Sequence, residues 1–232
     1  APPFAIAVIG LGMIGSAAAR HLSMAMAGCE SGMAVLAIGP PEPTGPWASY
    51  EGPFASHYDE GRLTRISDPN RVWAELASRS IARYEALERD SGIRFHYRVG
   101  SLRVDNSLAD LRATFEVGQC HGAVQEMSDD AEEMRAKFPY FGFEPGSQAV
   151  LVERGEAGYI NPRRMVDAQL TLARRYGAHV MREAVKGIEC IDGGNVVRIA
   201  TEQGKTLWAR KVLVCAGPYS SFLLHRGGSA EA

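Results

Sequence analysis

Three glycines near the start of the chain have the spacing at which a protein backbone can hold a diphosphate. Gly10, Gly12 and Gly15 form the pattern G-x-G-x-x-G. In this pattern the first glycine permits a tight turn, the second leaves room for the diphosphate, and the third lets a helix pack closely on a strand. The N–H groups and the dipole at the start of that helix favour a bound anion. These residues therefore predict a dinucleotide-binding site.

A second group of side chains that could bind a ligand or take part in a reaction lies in the segment 40–70. This segment is rich in proline, glycine and charged residues, and its apolar residues show no periodicity. Its centre, 54–65, contains His57, Arg65 and several other ionisable or aromatic residues. A loop of this length in a compact domain is usually functional or disordered. The density of reactive groups favours a functional loop over a flexible linker.

The elements that flank the glycines predict an α/β fold. Phe4–Ile9 is apolar throughout, without the alternation of a half-exposed strand, and so predicts a buried strand of a parallel sheet covered on both faces. A helix from about Met13 to Ala27 and a second apolar run over Met33–Ile38 complete a βαβ unit.

The end of the second strand departs from the usual dinucleotide pattern. An Asp or Glu normally stands there and binds ribose hydroxyls, but here Ile38 is followed by Gly39, Pro40, Pro41 and Glu42. Either Glu42 reaches back to the ribose or backbone groups at Gly39 replace the acid. The missing acid argues against NAD and leaves FAD open.

The middle of the chain predicts helices over 71–90, 107–118 and 129–137, the last of them a solvated surface element, and strands over 93–104 and 148–152. Apolar residues at helical spacing in the first of these helices are interpreted as core residues. They are Trp73, Leu76, Ala77, Tyr84 and Leu87.

The last third of the chain predicts a helix over 161–177, which begins with Asn-Pro and ends at a glycine. A meander of three short strands follows, over 184–191, 195–201 and 206–210. A separate buried strand then begins at Lys211 and ends in the small residues Cys215, Ala216 and Gly217. Small residues at this point suit a backbone that passes close to a ligand.

Composition excludes several classes of protein. The chain has 232 residues, of which 46% are hydrophobic and 22% charged, and a net charge of −2. No run of 18 apolar residues predicts a membrane span, and the charge gives no attraction to nucleic acid. The chain begins without a signal-like segment, which predicts a cytoplasmic location.

No metal site is predicted, because the chain lacks C-x-x-C, H-E-x-x-H and any other pattern with metal-ligand spacing. The G-x-S-x-G and phosphate-loop patterns of serine hydrolases and nucleoside triphosphatases are also missing. The cysteines are expected to be buried thiols. They are Cys29, Cys120, Cys190 and Cys215.

The order of these elements is that of FAD domains of the glutathione-reductase type. The chain resembles the D-amino-acid oxidase superfamily and, within it, the sarcosine-oxidase-like flavin amine oxidases. Five stretches carry this resemblance and span nearly the whole chain: Gly10–Gly15, Ser56–Arg65, Gly158–Pro162, Gly177–Val180 and Val212–Ser220.

The resemblance implies a Rossmann-like parallel sheet plus a β-meander, with part of an α+β substrate domain. The implied FAD-binding domain is discontinuous, over 1–92 and 154–226, and 93–153 is the partial substrate domain. Residues 227–232 have the composition of a flexible tail.

The implied activity is the FAD-dependent oxidation of a C–N bond in an amine or amino acid, with oxygen as the electron acceptor. Arg65 and His57 are the implied catalytic residues, and Thr64 lies with Arg65 near the isoalloxazine ring. The implied cofactor-binding residues are Gly10, Leu11, Gly12, Met13, Ile14, Gly15, Ile38, Gly39, Pro40, Ser56, His57, Thr64, Arg65, Val185, Cys215, Ala216 and Gly217.

The chain departs from the sarcosine-oxidase pattern in two ways. Asp68 stands where relatives carry an arginine that binds the substrate carboxylate. Family members are also considerably longer, so an FAD-binding fragment or subunit that needs a second chain or a C-terminal part is the alternative hypothesis. An NAD-dependent dehydrogenase is a weaker alternative.

Overall fold

The computed structural model describes residues 4–28, 34–45, 49–144 and 148–227. The chain divides into two compact units. The first contains residues 1–60, 90–93 and 162–232, and the second contains residues 61–89 and 94–161. The assignment of 1–92 and 154–226 to a cofactor domain stays a prediction, and the tail predicted beyond Gly227 lies outside the described residues.

The strands are β1 (Phe4–Ile9), β2 (Ala34–Gly39), β3 (Arg62–Thr64), β4 (His96–Tyr97), β5 (Ser101–Asp105), β6 (Gln125–Ser128), β7 (Ala149–Glu153), β8 (Gly158–Ile160), β9 (His179–Arg182), β10 (Val185–Ile191), β11 (Val196–Thr201) and β12 (Thr206–Val214). The α-helices are α1 (Met13–Met26), α2 (Arg71–Ile81), α3 (Tyr84–Ser91), α4 (Leu108–Cys120), α5 (Ala131–Lys137), α6 (Pro162–Arg175) and α7 (Ser220–Gly227).

Within the described residues, the first unit is built on a six-stranded sheet with the order β10-β11-β12-β1-β2-β9. β1 pairs in parallel with both β2 and β12. Its successive side chains enter opposite layers: Val8 packs with residues of α1 and α6, whereas Ala7 and Ile9 pack with residues of β11 and α7. This arrangement confirms the predicted central strand, because a strand covered on both faces needs apolar residues at every position.

The predicted third meander strand and the predicted separate strand after it are one continuous strand, β12. Its first half pairs antiparallel with β11, and from Ala209 onward it pairs in parallel with β1. The prediction of two strands was wrong because the change in side-chain pattern near Lys211 reflects a change of neighbour and not a break in the chain.

The sheet also contains β9, which the sequence analysis did not predict. This strand follows Gly177, whose φ of 88° ends α6, and pairs in parallel with β2 at the edge of the sheet. Edge strands are buried less completely than central ones, so the sequence of β9 has no apolar run that would identify it.

In its described part, the second unit contains two three-stranded antiparallel sheets, with the orders β3-β8-β4 and β5-β7-β6. The central strand β7 is buried at all five positions. α4 begins as the sequence predicts, with the Ser107 hydroxyl accepting a hydrogen bond from the N–H of Asp110 at 3.2 Å. β3, β6 and β8 are too short to be predicted from periodicity.

The helix predicted over 71–90 is two helices, α2 and α3. The two helices differ in burial. Tyr84 and Leu87 of α3 lie in the core, but Trp73 and Leu76 of α2 are 63% and 47% exposed. The core interpretation was therefore wrong for Trp73 and Leu76. The buried residues of α2 are instead Ala74, which is small, and Ile81, the last residue of the helix.

The expectation of buried thiols was also wrong for two cysteines. Cys120 and Cys190 are exposed, and Cys215 is partly buried. Cys120 is the last residue of α4, and Cys190 lies near the end of β10, at the edge of the six-stranded sheet. Cys29 lies outside the described residues.

Candidate cofactor site

A cavity of about 620 Å³ lies in the first unit, at the carboxyl ends of β1, β2 and β12 and the start of α1. This is the edge of an open parallel sheet at which ligands bind in such folds, and the volume is typical of a small-molecule site. Predicted cofactor residues that line it are Gly10, Leu11, Gly12, Met13, Ile14, Gly39, Pro40, Ser56, His57, Val185, Cys215, Ala216 and Gly217.

The three glycines have different structural reasons to be glycine. Gly10 has a φ of 105°, and a Cβ there would collide with the carbonyl group of Cys215. A Cβ at Gly15 would collide with the carbonyl oxygen of Gly10, so Gly15 permits close packing of the helix on the loop. Among the described residues, a Cβ at Gly12 would have one neighbour within 4 Å, the Nδ1 atom of His57 at 3.7 Å. Gly12 therefore leaves space in the cavity, as a diphosphate requires.

The end of β2 approaches the glycine loop through its backbone. The N–H of Gly10 donates to the carbonyl oxygen of Ile38 at 2.8 Å. A Cβ at Gly39 would come within 2.9 Å of the backbone nitrogen of Leu11. Gly39 and Pro40 line the cavity, whereas the side chain of Ile38 is fully buried in the core.

Glu42 does not replace the missing ribose-binding acid by reaching into the cavity. Its carboxylate lies 3.2 Å from Nε2 of His57 and 2.9 Å from Nε of Arg163. The hydrogen bond from His57, with a further contribution from Arg163, lowers the pKa of Glu42. The carboxylate is thus ionised and engaged, which leaves the backbone at Gly39 as the part of β2 that faces the cavity.

The loop before residue 60 is packed against its own aromatic side chains. The rings of Phe54 and His57 lie edge-on to Tyr58, with centroids 5.5 and 4.8 Å away. The hydroxyl of Tyr219 accepts a hydrogen bond from the N–H of Phe54 at 3.1 Å, which ties the loop to a distant part of the chain. Burial raises the pKa of Tyr58. These contacts fit the predicted functional loop better than a flexible linker.

The cavity is also lined by residues that the sequence analysis missed. They include Arg182, Glu202, Phe222 and Leu223. Arg182 lies at the carboxyl end of β9, so recognition of that strand would have identified it. Burial raises the pKa of the nearby Cys215 thiol.

Thr64 and Arg65 belong to the second unit, where they line a separate cavity of about 380 Å³ with Asp68, Trp73 and Tyr84. Nη1 of Arg65 lies 3.7 Å from a carboxylate oxygen of Asp68. The other carboxylate oxygen of Asp68 accepts a hydrogen bond from the N–H of Asn70 at 2.9 Å. Asp68 is therefore held beside Arg65 in a partly exposed ion pair.

Glu153 fixes the backbone that follows Arg65. This carboxylate is only 2% exposed, and its two oxygens accept hydrogen bonds from the N–H groups of Ile66 and Ser67, each at 2.7 Å. No local sequence pattern indicates this role, because the two partners lie 87 and 86 residues away along the chain.

Glu153→Ala is expected to destabilise the protein by about 3 kcal/mol, because two buried N–H groups lose a charged acceptor. Urea unfolding followed by circular dichroism measures the change. The matched control is Glu156→Ala, which removes an exposed ion pair with Arg98 at 2.9 Å and is expected to cost at most about 1 kcal/mol. Equal costs for the two variants would contradict the structural role of Glu153.

A Rossmann-like sheet, a β-meander and a glycine loop at the carboxyl edge together define a dinucleotide-binding oxidoreductase fold. Residues 5–231 match the family described as FAD dependent oxidoreductase (DAO). The chain belongs to this family, whose cofactor is FAD. The predicted fold and the predicted resemblance are both confirmed.

The chain is similar to the monomeric sarcosine oxidase of Streptomyces avermitilis, with 32% identity over 96% of this chain and 54% of that protein. It therefore spans about half the length of the curated relative. Two solved structures share the fold. NikD, an unusual amino acid oxidase, has a TM-score of 0.72 at 22% identity, over 97% of this chain and 54% of its own. L-proline dehydrogenase from P. horikoshii has a TM-score of 0.74 at 16% identity, over 100% of this chain and 57% of its own.

In the described part of the chain, no helix is long and apolar enough to cross a membrane. No group of three or more His, Cys, Asp or Glu side chains within it is arranged to hold a metal ion.

Proposed function

We propose that the complete protein is an FAD-dependent oxidoreductase that oxidises a C–N bond of an amine or amino acid, with oxygen as the electron acceptor. The observation that supports this most strongly is the space at Gly12 in the cavity of a chain that belongs to the FAD-dependent family. The sarcosine oxidase similarity supports the class of substrate.

In this proposal the loop Gly10–Gly15 and the start of α1 hold the diphosphate of FAD, and backbone groups at Gly39 replace the missing ribose acid. Bound FAD would supply the acceptor for a hydride equivalent. The guanidinium of Arg65 would stabilise negative charge that develops near it during the reaction. Thr64 and His57 would be further neighbours of the cofactor.

A second candidate is an FAD-binding portion that is inactive without additional polypeptide. It is favoured by the share of the sarcosine oxidase that this chain covers, 54%. The exposed apolar side chains of the second unit also favour it, since Leu63, Val72, Trp73 and Leu76 are all more than a third exposed. The NAD-dependent alternative is dropped because the family is FAD-dependent.

Anaerobic mixing of the flavin-loaded protein with a series of amines tests the proposal. A free amino acid, its N-methyl derivative, its amide and the matching amine would be compared. We expect at least one of them to bleach the flavin band near ~450 nm, and admission of oxygen to restore it with release of hydrogen peroxide. Flavin that no amine reduces in this chain, but that is reduced in a longer form, would favour the second candidate. Flavin reduced in neither form would contradict the proposed activity.

A further inference from the structure

His57 has one ring nitrogen without a partner. The side chain is 3% exposed, and its Nδ1 atom makes no hydrogen bond with any residue that the structure describes. This atom lies 3.7 Å from the position that a Cβ of Gly12 would occupy, at the wall of the cavity in the first unit. A buried polar atom without a partner requires an explanation, and a ligand in the cavity is one.

The other ring nitrogen of His57 is held by a chain of charged groups. Nε2 lies 3.2 Å from one oxygen of Glu42, whose other oxygen accepts from Nε of Arg163 at 2.9 Å. An ionised carboxylate can only accept, so Nε2 must carry the proton. In the neutral ring Nδ1 then carries a lone pair beside Gly12, and in the charged ring it carries an N–H group there.

We propose that His57 is a proton-linked anchor for the diphosphate of the cofactor. When the diphosphate binds over Gly12, the ring takes one proton from water at Nδ1, and the resulting N–H group donates to a diphosphate oxygen. No other bond is made or broken. Glu42 stabilises the charged ring, and Arg163 orients Glu42, so both are positioning residues. The inference rests on the proposed binding of FAD in this cavity.

The groups closest to His57 are Glu42 and Tyr58. The hydrogen bond from His57 and the contact with Arg163 lower the pKa of Glu42. Burial raises the pKa of Tyr58, whose ring packs on the imidazole. Arg163 also faces the exposed carboxylate of Glu60 at 3.8 Å. These directions keep Glu42 ionised and Tyr58 protonated, so the proposal assigns the proton uptake to the imidazole.

Calorimetric titration of the full chain with FAD, in two buffers of different ionisation enthalpy, measures the proton uptake directly. At slightly alkaline pH we expect uptake of about one proton per FAD. ADP, which carries the diphosphate without the flavin, is expected to give the same uptake, and adenosine to give none. This comparison needs only the wild-type protein.

Two substitutions separate the roles of the two ring nitrogens. His57→Asn places an amide nitrogen near the position of Nδ1, so it keeps a donor toward Gly12 and loses the contact with Glu42. His57→Gln reaches the position of Nε2 and does the reverse. We expect both to abolish proton uptake, with FAD affinity falling less than about tenfold in His57→Asn and about 100-fold in His57→Gln. Glu42→Gln, which removes only the charge, is expected to weaken binding about tenfold.

Binding of FAD without proton uptake, equal uptake with adenosine, or tighter binding by His57→Gln than by His57→Asn would each overturn the inference. These outcomes leave the proposed cofactor intact, because FAD still binds in all of them. Failure of FAD to bind at all would instead contradict the proposed function. Circular dichroism checks that each variant is folded.

Discussion

Gly12→Val is expected to abolish FAD binding while the protein remains folded. The backbone of Gly12 has a φ of −72°, which any residue can adopt. Of the residues that the structure describes, a Cβ there meets only Nδ1 of His57, at an ordinary contact distance of 3.7 Å. The new side chain therefore occupies the space of the diphosphate without a large cost to the fold. We expect FAD affinity to fall at least about 100-fold, or about 2.8 kcal/mol, as measured by fluorescence titration.

Two other glycines provide matched comparisons. No described residue lies within 4 Å of the Cβ position of Gly187 in β10, so Gly187→Ala is expected to change neither folding nor FAD affinity. Gly15→Ala would push a methyl group into the carbonyl of Gly10 and is expected to reduce stability along with binding. A folded Gly12→Val protein that retains FAD within tenfold of the wild type would refute the assignment of the loop.

Arg65→Ala is expected to slow flavin reduction far more than it weakens FAD binding. The proposed role of this guanidinium is to stabilise charge that develops during the reaction, and loss of one such donor typically costs about 3 kcal/mol, or roughly 100-fold in rate. Stopped-flow reduction by a substrate amine, in a form of the protein that turns over, gives the rate. FAD affinity is expected to change by less than about tenfold.

The control for Arg65 is Arg62→Ala, which removes a nearby guanidinium. Arg62 is the first residue of β3, the strand that ends just before Arg65, and it does not line the cavity that contains Arg65. Its reduction rate is expected to match that of the wild type. Asp68→Asn tests the ion pair separately, because it frees Arg65 from the carboxylate 3.7 Å away. Unchanged reduction by Arg65→Ala, or equal slowing by Arg62→Ala, would remove Arg65 from the proposed reaction.

The features that the sequence predicts well are those encoded in neighbouring residues. The apolar run of β1, the glycines after it and the helix α1 are close in sequence, so their residue types identify the strand, the turn and the anion site together. The same holds for Gly177 at the end of α6 and for Ser107 at the start of α4.

The features that the sequence does not predict depend on partners far along the chain. The role of Glu153 becomes visible only when Ile66 and Ser67 are placed beside it, and Glu42 meets Arg163 across 121 residues. Trp73 was assigned to the core because helical spacing identifies an apolar face but cannot show whether anything in the chain covers it.

The central claim is that the first unit of this chain binds FAD through the loop Gly10–Gly15. Titration of FAD into the purified chain, followed by flavin fluorescence, tests it most directly. We predict saturation at about one FAD per chain, competition by ADP, and weaker binding of NAD than of FAD. Preferential binding of NAD, or saturation by FAD that Gly12→Val leaves unchanged, would contradict the claim.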